Sequence, residues 1–262
     1  MIDADARVAR AIQATTAGVL AANLLIAPRQ LVLINMVVTV PIDDPFFPSL
    51  LRAPMLLVLG WIVPLLTGIL ALARPRSAWA RVHGPTLLIG SGVLLVHQGS
   101  YFFATWVVDF WIGAFLVWLA RAGTRDPSAA CRTGPFLAQL LIAFWFLGGA
   151  VGKWTREWWA GDATRELLLL SQRTHATQLL VRLFGTDAAA IASIGTWMSR
   201  ISVVIETAMA GVILIPARPA FVATIAVTGS MWVLVSYNIF EIVWPIMGLA
   251  VAGWSLLGEE RR

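Results

Sequence analysis

The chain has 262 residues, of which 59% are hydrophobic and only 13% are charged, whereas a typical soluble domain carries about 25% charged residues. Long apolar segments alternate with short polar ones, which excludes an ordinary soluble enzyme and indicates a multi-pass membrane protein. The net charge of +5 comes from arginines in short loops, so nucleic acid is not an expected partner.

The first apolar segments contain proline at informative places. Residues 9–27 are predicted to be a first spanning helix, retained in the mature protein and stopped by Pro28. Residues 31–40 are too short to span alone, and the prolines that follow favour a re-entrant or interfacial segment. Residues 54–73 are predicted to be a clear span, which arginines close.

The middle of the chain is nearly uncharged over residues 84–121. At about 1.5 Å per residue, this segment is longer than one crossing of about 30 Å. We therefore predict two helices that turn at residues 97–100, which are polar and contain a glycine. Residues 134–152 are predicted to be the next span.

The last third contains a different kind of segment. Residues 164–184 alternate leucines with charged residues, which predicts an amphipathic helix lying along the membrane interface. Three further spans are predicted at residues 192–215, 220–237 and 239–257, the first two joined by a tight turn at residues 216–219.

Together these elements predict an all-α fold: one integral membrane domain over residues 1–262, with about eight spans, interfacial and re-entrant helices and no soluble domain. The positive-inside rule places both termini in the cytoplasm. The expected location is the inner or plasma membrane of a bacterium. With this topology several polar residues approach the same external face: His97, Tyr101, Lys153, Trp158, Asn238 and Glu241.

Lys153 is the one lysine among 19 basic residues, and it ends an apolar helix rich in small residues. Arginine keeps its proton in proteins, whereas a partly buried lysine can become a neutral amine base. Glu157 would favour the charged form if it paired with Lys153 across one helical turn. An alternative interpretation is an interfacial cation that only ends the helix.

The segment AVGKWTREWWAGDA (residues 150–163) resembles the lysine motif of vitamin K-dependent γ-glutamyl carboxylases and of the wider HTTM (horizontally transferred transmembrane) domain group. The segment VHQGSYFF (residues 96–103) resembles a second element of that family, and Glu206 before its proline-containing turn is similar to a third. There are departures: Val96 replaces an expected asparagine, a family histidine has no counterpart near residues 230–232, and the chain stops at Arg262, where the full carboxylases continue into a large lumenal domain.

The resemblance implies a carboxylase-like and epoxidase-like membrane enzyme. In the family, the lysine deprotonates the hydroxyl of a reduced quinone, O2 then adds, and a strongly basic alkoxide takes an unactivated proton. Lys153 and His97 are accordingly the expected catalytic residues, with reduced quinone, O2 and, for a carboxylation, CO2 as cofactors. The lipid bilayer and a secreted peptide are the expected partners. The expected quinone or substrate pocket contains Tyr101, Asp109, Trp154, Trp158, Gly161, Glu206 and Glu241.

Asp109 and Glu206 lie inside predicted spans, where an ionisable group usually faces the interior of the helix bundle. They are either hydrogen-bonded packing residues or part of a polar cavity beneath Lys153. Arg200 is a candidate ion partner of Glu206, although residues six apart do not share a helix face. No metal site is predicted, because the topology places His83 on the opposite side from the other two histidines.

A non-catalytic function is the alternative. Small HTTM-domain proteins also resemble membrane factors for toxin-peptide maturation or immunity, and intramembrane Asp109 and Glu206 fit a carrier for a small solute. Retention of quinone and its oxidation in air would distinguish the enzyme from these possibilities.

Overall fold

The computed structural model describes residues 3–39, 53–97, 104–162, 164, 175–185, 187–235 and 241–258. Every regular element formed by these residues is a helix, as the sequence predicts. Helices suit an apolar solvent because their backbone hydrogen bonds are made within one segment. The helices form two compact units: unit 1 is Met1–Ala138 with Glu241–Arg262, and unit 2 is Gln139–Phe240.

Unit 1 is built around a long first helix that packs on the last one. Its helices are α1 (Ala4–Thr39), α2 (Pro54–Ala73), α3 (Ala78–His97), α4 (Ala104–Arg125), the first half of α5 (Pro127–Lys153) and α10 (Val243–Leu256). Unit 2 contains the second half of α5, α6 (Arg156–Ala160), α7 (His175–Phe184), α8 (Ala188–Ala210) with a 3-10 turn (Gly211–Leu214), and α9 (Ala217–Val235).

Five helical segments are long and apolar enough to cross a membrane: Ala4–Met36, Pro54–Ala73, Ala104–Arg125, Pro127–Lys153 and Ala192–Leu214. Val243–Leu256 is a shorter apolar helix. The prediction of a membrane protein with spanning helices is therefore confirmed, but within the described residues five helices, not eight, reach the length and hydropathy of a crossing.

The predicted helix end at Pro28 is wrong. Helix α1 continues through Pro28 to Thr39, so its described residues from 31 onward are not a separate re-entrant segment. Packing explains the continuity: Leu33, beyond the proline, is buried in a cluster with Leu57, Trp61 and Trp106. Burial of this second half outweighs the local cost of the proline, which removes one backbone hydrogen bond.

Other predicted boundaries shift by a few residues. Residues 84–121 do form parts of two helices, α3 and α4, and the predicted turn between them lies outside the described residues from residue 98 onward. Helix α9 begins at Ala217, so Pro219 lies in its first turn, where proline is tolerated. Of the predicted interfacial segment, His175–Phe184 is a helix with exposed Leu179, Val181 and Leu183.

Small residues allow close helix contacts in unit 1. A Cβ atom on Gly248 would lie 2.6 Å from the backbone oxygen of Ala14 and 3.1 Å from the Cα of Gly18. A Cβ atom on Gly113 would lie 2.7 Å from the backbone nitrogen of Leu88. Close backbone approach at small residues is a usual way for helices to associate in membranes.

Candidate functional site

The lysine motif lies where α5 ends and the short helix α6 begins. Thr155 caps α6, its hydroxyl accepting a hydrogen bond from the backbone N–H of Trp158 at 3.4 Å. Gly161 ends α6 in the left-handed conformation, with φ of 87°. A Cβ atom there would lie 2.7 Å from Thr196 Oγ1. Gly161 is thus required both for the turn and for the approach to α8.

Helix α8 presents one polar face to this motif. Thr196, Ser199, Val203 and Glu206 recur at spacings of three and four residues, which places them on the same side of the helix. The last three are buried. The register of this face brings Glu206 to the end of α5.

The centre of the site is an ion pair between Lys153 and Glu206. Lys153 Nζ lies 2.6 Å from both carboxylate oxygens, and the side chains are only 18% and 8% exposed. Gly149 makes room for the pair, because a Cβ atom there would lie 2.7 Å from Glu206 Oε2. Charge-assisted bonds of this length in a poorly hydrated place are strong, and removing one partner leaves a buried charge.

Aromatic rings surround the pair. Lys153 Nζ lies 5.0 Å from the centroid of the Trp158 ring, within the range of a cation–π contact. Trp154 and Trp159 stack with their centroids 5.5 Å apart and their planes 16° from parallel. Both stacked rings are more than two-fifths exposed. The lysine end of the site is therefore aromatic and largely apolar.

Side chains of α8 fasten α6 in place. Thr196 Oγ1 donates to the backbone oxygen of Ala160 at 3.1 Å, and Arg200 Nε donates to that of Trp159 at 3.0 Å. Ser199 Oγ donates to the backbone oxygen of Trp158. These bonds add partners to the last carbonyls of the short helix, where intrahelical donors run out. They also fix where Trp158 stands over the lysine.

The opposite end of α5 within unit 2 is anchored as well. Gln139 is buried, and its Nε2 donates to the backbone oxygen of Ile215 at 2.8 Å and to that of Val212. These carbonyls belong to the 3-10 turn and its cap, where the helical hydrogen-bond pattern stops. Helices α5 and α8 are thus tied at two places, and α8 runs antiparallel to α5.

The site residues predicted from the sequence are distributed over both units. Lys153, Trp154, Trp158, Gly161 and Glu206 lie together in unit 2. Asp109 and Glu241 belong to unit 1. For His97 the structure describes only the backbone, as the last residue of α3, and Tyr101 lies outside the described residues.

Lys153 and Glu206 pair with each other and not with the partners considered from the sequence. Glu206 pairs with Lys153 and not with Arg200, whose guanidinium instead lies 5.6 Å from the Trp159 ring centroid. Glu157 is exposed, and the carboxylate that holds Lys153 comes from α8. Sequence separation hid this pairing, because residues 153 and 206 belong to different helices whose register only packing sets.

The sequence analysis missed Gly149, Thr196, Ser199 and Gln139. A signal for two of them was present: Thr196 and Ser199 continue the face of Glu206 at helical spacing. Gly149 precedes Lys153 by one helical turn, so it shares the lysine's face. Nothing local indicated Gln139, whose acceptors are more than 70 residues away.

In unit 1 the acidic residues form a separate polar network. Asn23 Nδ2 donates to Asp109 Oδ2 at 2.6 Å. Thr105 Oγ1 donates to Glu241 Oε1 at 3.4 Å, and Arg29 Nη1 lies 3.9 Å from the same oxygen. Within the described residues no three His, Cys, Asp or Glu side chains are grouped to hold a metal ion.

The site in unit 2 can hold and transfer a proton beside an apolar aromatic surface. Comparison of the chain with protein-family models, with curated proteins and with solved structures found no match in any of the three.

Proposed function

We propose that the protein is an integral membrane enzyme that uses Lys153 to take a proton from a reduced quinone, with O2 as the oxidant. Its product would be a modified peptide or small molecule, carboxylated if CO2 is also used. The observation that carries this proposal is the Lys153–Glu206 pair at the end of a membrane-type helix. The resemblance of residues 150–163 to the lysine motif of the carboxylase-like group supports it.

The pair supplies a route for the proton. Lys153 can pass a proton to Glu206, 2.6 Å away, and the neutral amine can then accept one from a bound hydroxyl. The Trp158 ring shields the lysine from water and keeps competing proton donors away. Arginine at position 153 would preserve the charge but not this capacity.

The surroundings fit a flat, lipid-soluble ring. Phe144, Leu147 and Val151 form an exposed apolar face along the last turns of α5. The stacked rings of Trp154 and Trp159 continue this surface beside the lysine. A reduced quinone, when bound, supplies the ionisable hydroxyl and the electrons that reduce O2. The indoles would orient its ring by stacking.

The test is oxygen consumption by purified protein in nanodiscs with a menaquinol analogue, together with mass spectrometry of extracted quinone. Lys153→Arg should reduce the rate by at least about 100-fold, a usual contribution of a positioned base. Arg156→Lys is the matched control, since Arg156 is exposed three residues away. An undiminished rate in Lys153→Arg removes the mechanism.

A membrane carrier or maturation factor without catalysis is the second candidate. The observation that favours it is that both oxygens of Glu206 hold Lys153, as in a structural ion pair. Absence of quinone from the purified protein, with no oxygen uptake, would favour this candidate. In that case Lys153→Arg should retain function, because it preserves the charge pair.

We further propose that both termini lie in the cytoplasm of a bacterial cell and that the chain crosses the inner membrane about eight times. Arginines flanking α2, α3 and α4 support this orientation. A fluorescent protein fused after Arg262 should fluoresce, whereas a periplasmic phosphatase fused there should be inactive. The reverse pattern would contradict the orientation.

A further inference from the structure

Unit 1 contains two adjoining groups of buried polar side chains, together called the polar network. Asn23 of α1 bonds Asp109 of α4, and Thr105, one helical turn before Asp109, bonds Glu241. Arg29 of α1 approaches the same Glu241 carboxylate at 3.9 Å. Asp109, Thr105 and Glu241 are all buried. The Lys153 pair belongs to unit 2 and is not among these residues.

The network is short of positive charge. It holds two carboxyl groups but one guanidinium, that of Arg29. If both acids were ionised, one negative charge would be buried without a partner, which is strongly unfavourable. One additional positive charge, or one proton on a carboxyl group, makes the network neutral.

Buried atoms without a hydrogen-bond partner indicate where the additional positive charge or proton would bind. Asp109 Oδ1 and Glu241 Oε2 are buried and have no hydrogen-bond partner in the described structure. Both amide atoms of the fully buried Gln30 are unpaired as well. Gln30 follows Asn23 by seven residues, so it lies on the same face of α1. Buried polar atoms of this kind are usually paired, by protein or by ordered water.

The other helices packed on α4 bring no further charge to this face. Helix α3 meets α4 through Gly84 and Leu88, and its buried histidine, His83, faces Thr67 of α2 at 3.3 Å. Asn23 and Arg29 come from α1, and Glu241 precedes α10. The structure describes the backbone of His97 but not its side chain. The missing positive charge is therefore not supplied by a described neighbouring side chain.

We propose that Asp109 and Glu241 share one proton through Thr105, so that unit 1 contains a proton-binding site inside the membrane. Thr105 bonds Glu241, and it lies four residues before Asp109 on one helix, about 6 Å between side-chain origins. One water molecule hydrogen-bonded to Thr105 and Asp109 would span that gap.

The transfer balances without another reactant. The proton leaves Asp109 Oδ1 and protonates the bridging water, which gives a proton to the Thr105 oxygen. The Thr105 hydroxyl proton moves to Glu241 Oε1, its acceptor at 3.4 Å. Water and threonine return to their starting composition, and the charge moves from one carboxyl group to the other.

Infrared spectroscopy of the protein in nanodiscs tests the site, because a buried protonated carboxyl group has a carbonyl band distinct from that of a carboxylate. At neutral pH the unaltered protein should show one such band. Asp109→Asn and Glu241→Gln should each abolish it, because either change leaves one carboxylate to balance the one guanidinium, so no extra proton is needed. Thr105→Val should shift it by removing the bridging hydroxyl.

Thr15→Val is the matched control, since Thr15 is also buried in unit 1 but bonds only within its own helix, to the oxygen of Ala11. It should leave the band unchanged. A band that survives in Glu241→Gln but not in Asp109→Asn would overturn sharing, because Asp109 would then hold its proton independently. Absence of the band in the unaltered protein, or its loss on adding Na⁺ at constant pH, would overturn the proton assignment.

Each variant is first checked by size-exclusion chromatography and thermal unfolding. Asparagine at position 109 can still hydrogen-bond Asn23, so Asp109→Asn is expected to fold. If it does not fold, Glu241→Gln alone tests the proposal, because it leaves the Asn23–Asp109 bond in place. A shared proton still requires that this variant lose the infrared band.

Discussion

The two units bury charge in different ways. In unit 2, Lys153 and Glu206 form a closed pair in which each charge has one opposite partner at 2.6 Å. In unit 1, the polar network holds two buried acids and one guanidinium, that of Arg29, which lies 3.9 Å from Glu241. One oxygen of Asp109 and one of Glu241 have no partner in the described structure. A closed pair is damaged by removing either charge, whereas a network with excess acid is relieved by removing one.

The largest expected effect is from Glu206→Gln. It leaves the ammonium of Lys153 largely buried without an opposite charge, so the free energy of unfolding should fall by about 3 kcal/mol. Thermal and denaturant unfolding in detergent measure the loss. The double variant Lys153→Met with Glu206→Leu should recover much of it, because no unpaired charge then remains. Additive losses in the double variant would contradict a coupled pair.

Gly161→Ala should have the next largest effect, about 2 to 3 kcal/mol, because the methyl group meets both the left-handed backbone and Thr196. The matched control is Gly185→Ala. Gly185 also has positive φ, 66°, but a Cβ atom there has nothing within 4 Å. The loss in Gly185→Ala should therefore be only about 1 kcal/mol, the cost of the left-handed backbone alone. Equal losses would show that the α6–α8 contact does not stabilise unit 2.

Asp109→Asn should have the smallest effect, a change in unfolding free energy below about 1 kcal/mol. The amide keeps a hydrogen bond with Asn23 and removes the need for an extra proton near Glu241. The same unfolding measurement, next to Glu206→Gln, compares the two units directly. A loss as large as that of Glu206→Gln would mean that Asp109 is a paired carboxylate and would erase the difference between the units.

Sequence periodicity predicted the helices well because long apolar segments leave few alternatives in a membrane-type protein. It misjudged α1, where local proline chemistry predicted a stop at Pro28 but burial of Leu33 extends the helix. Of the eight predicted crossings, five are supported by helices of sufficient length and hydropathy within the described residues. Val243–Leu256 is apolar but, at 14 residues, shorter than a crossing requires.

The sequence predicted the part of the candidate site whose residues are close together in the chain. Lys153, Trp154, Trp158 and Gly161 form one motif, and their proximity follows from chain connectivity. Glu206 was singled out because an acid within a span is unusual, but its partner was not predicted. No spacing rule relates residues on different helices, so the Lys153–Glu206 pair and the long-range bonds of Gln139 could be recognised only after the helices were placed together.

The amino-acid sequence by itself determined that this chain is helical, apolar and suited to a membrane, because composition and periodicity act over a few turns of one helix. It also determined that its one lysine stands at a helix end beside indoles and a glycine. Tertiary structure alone decided that Lys153 meets Glu206, and that Asp109 and Glu241 belong to a different network. Those pairings depend on the register between helices, which side-chain packing over the whole unit fixes.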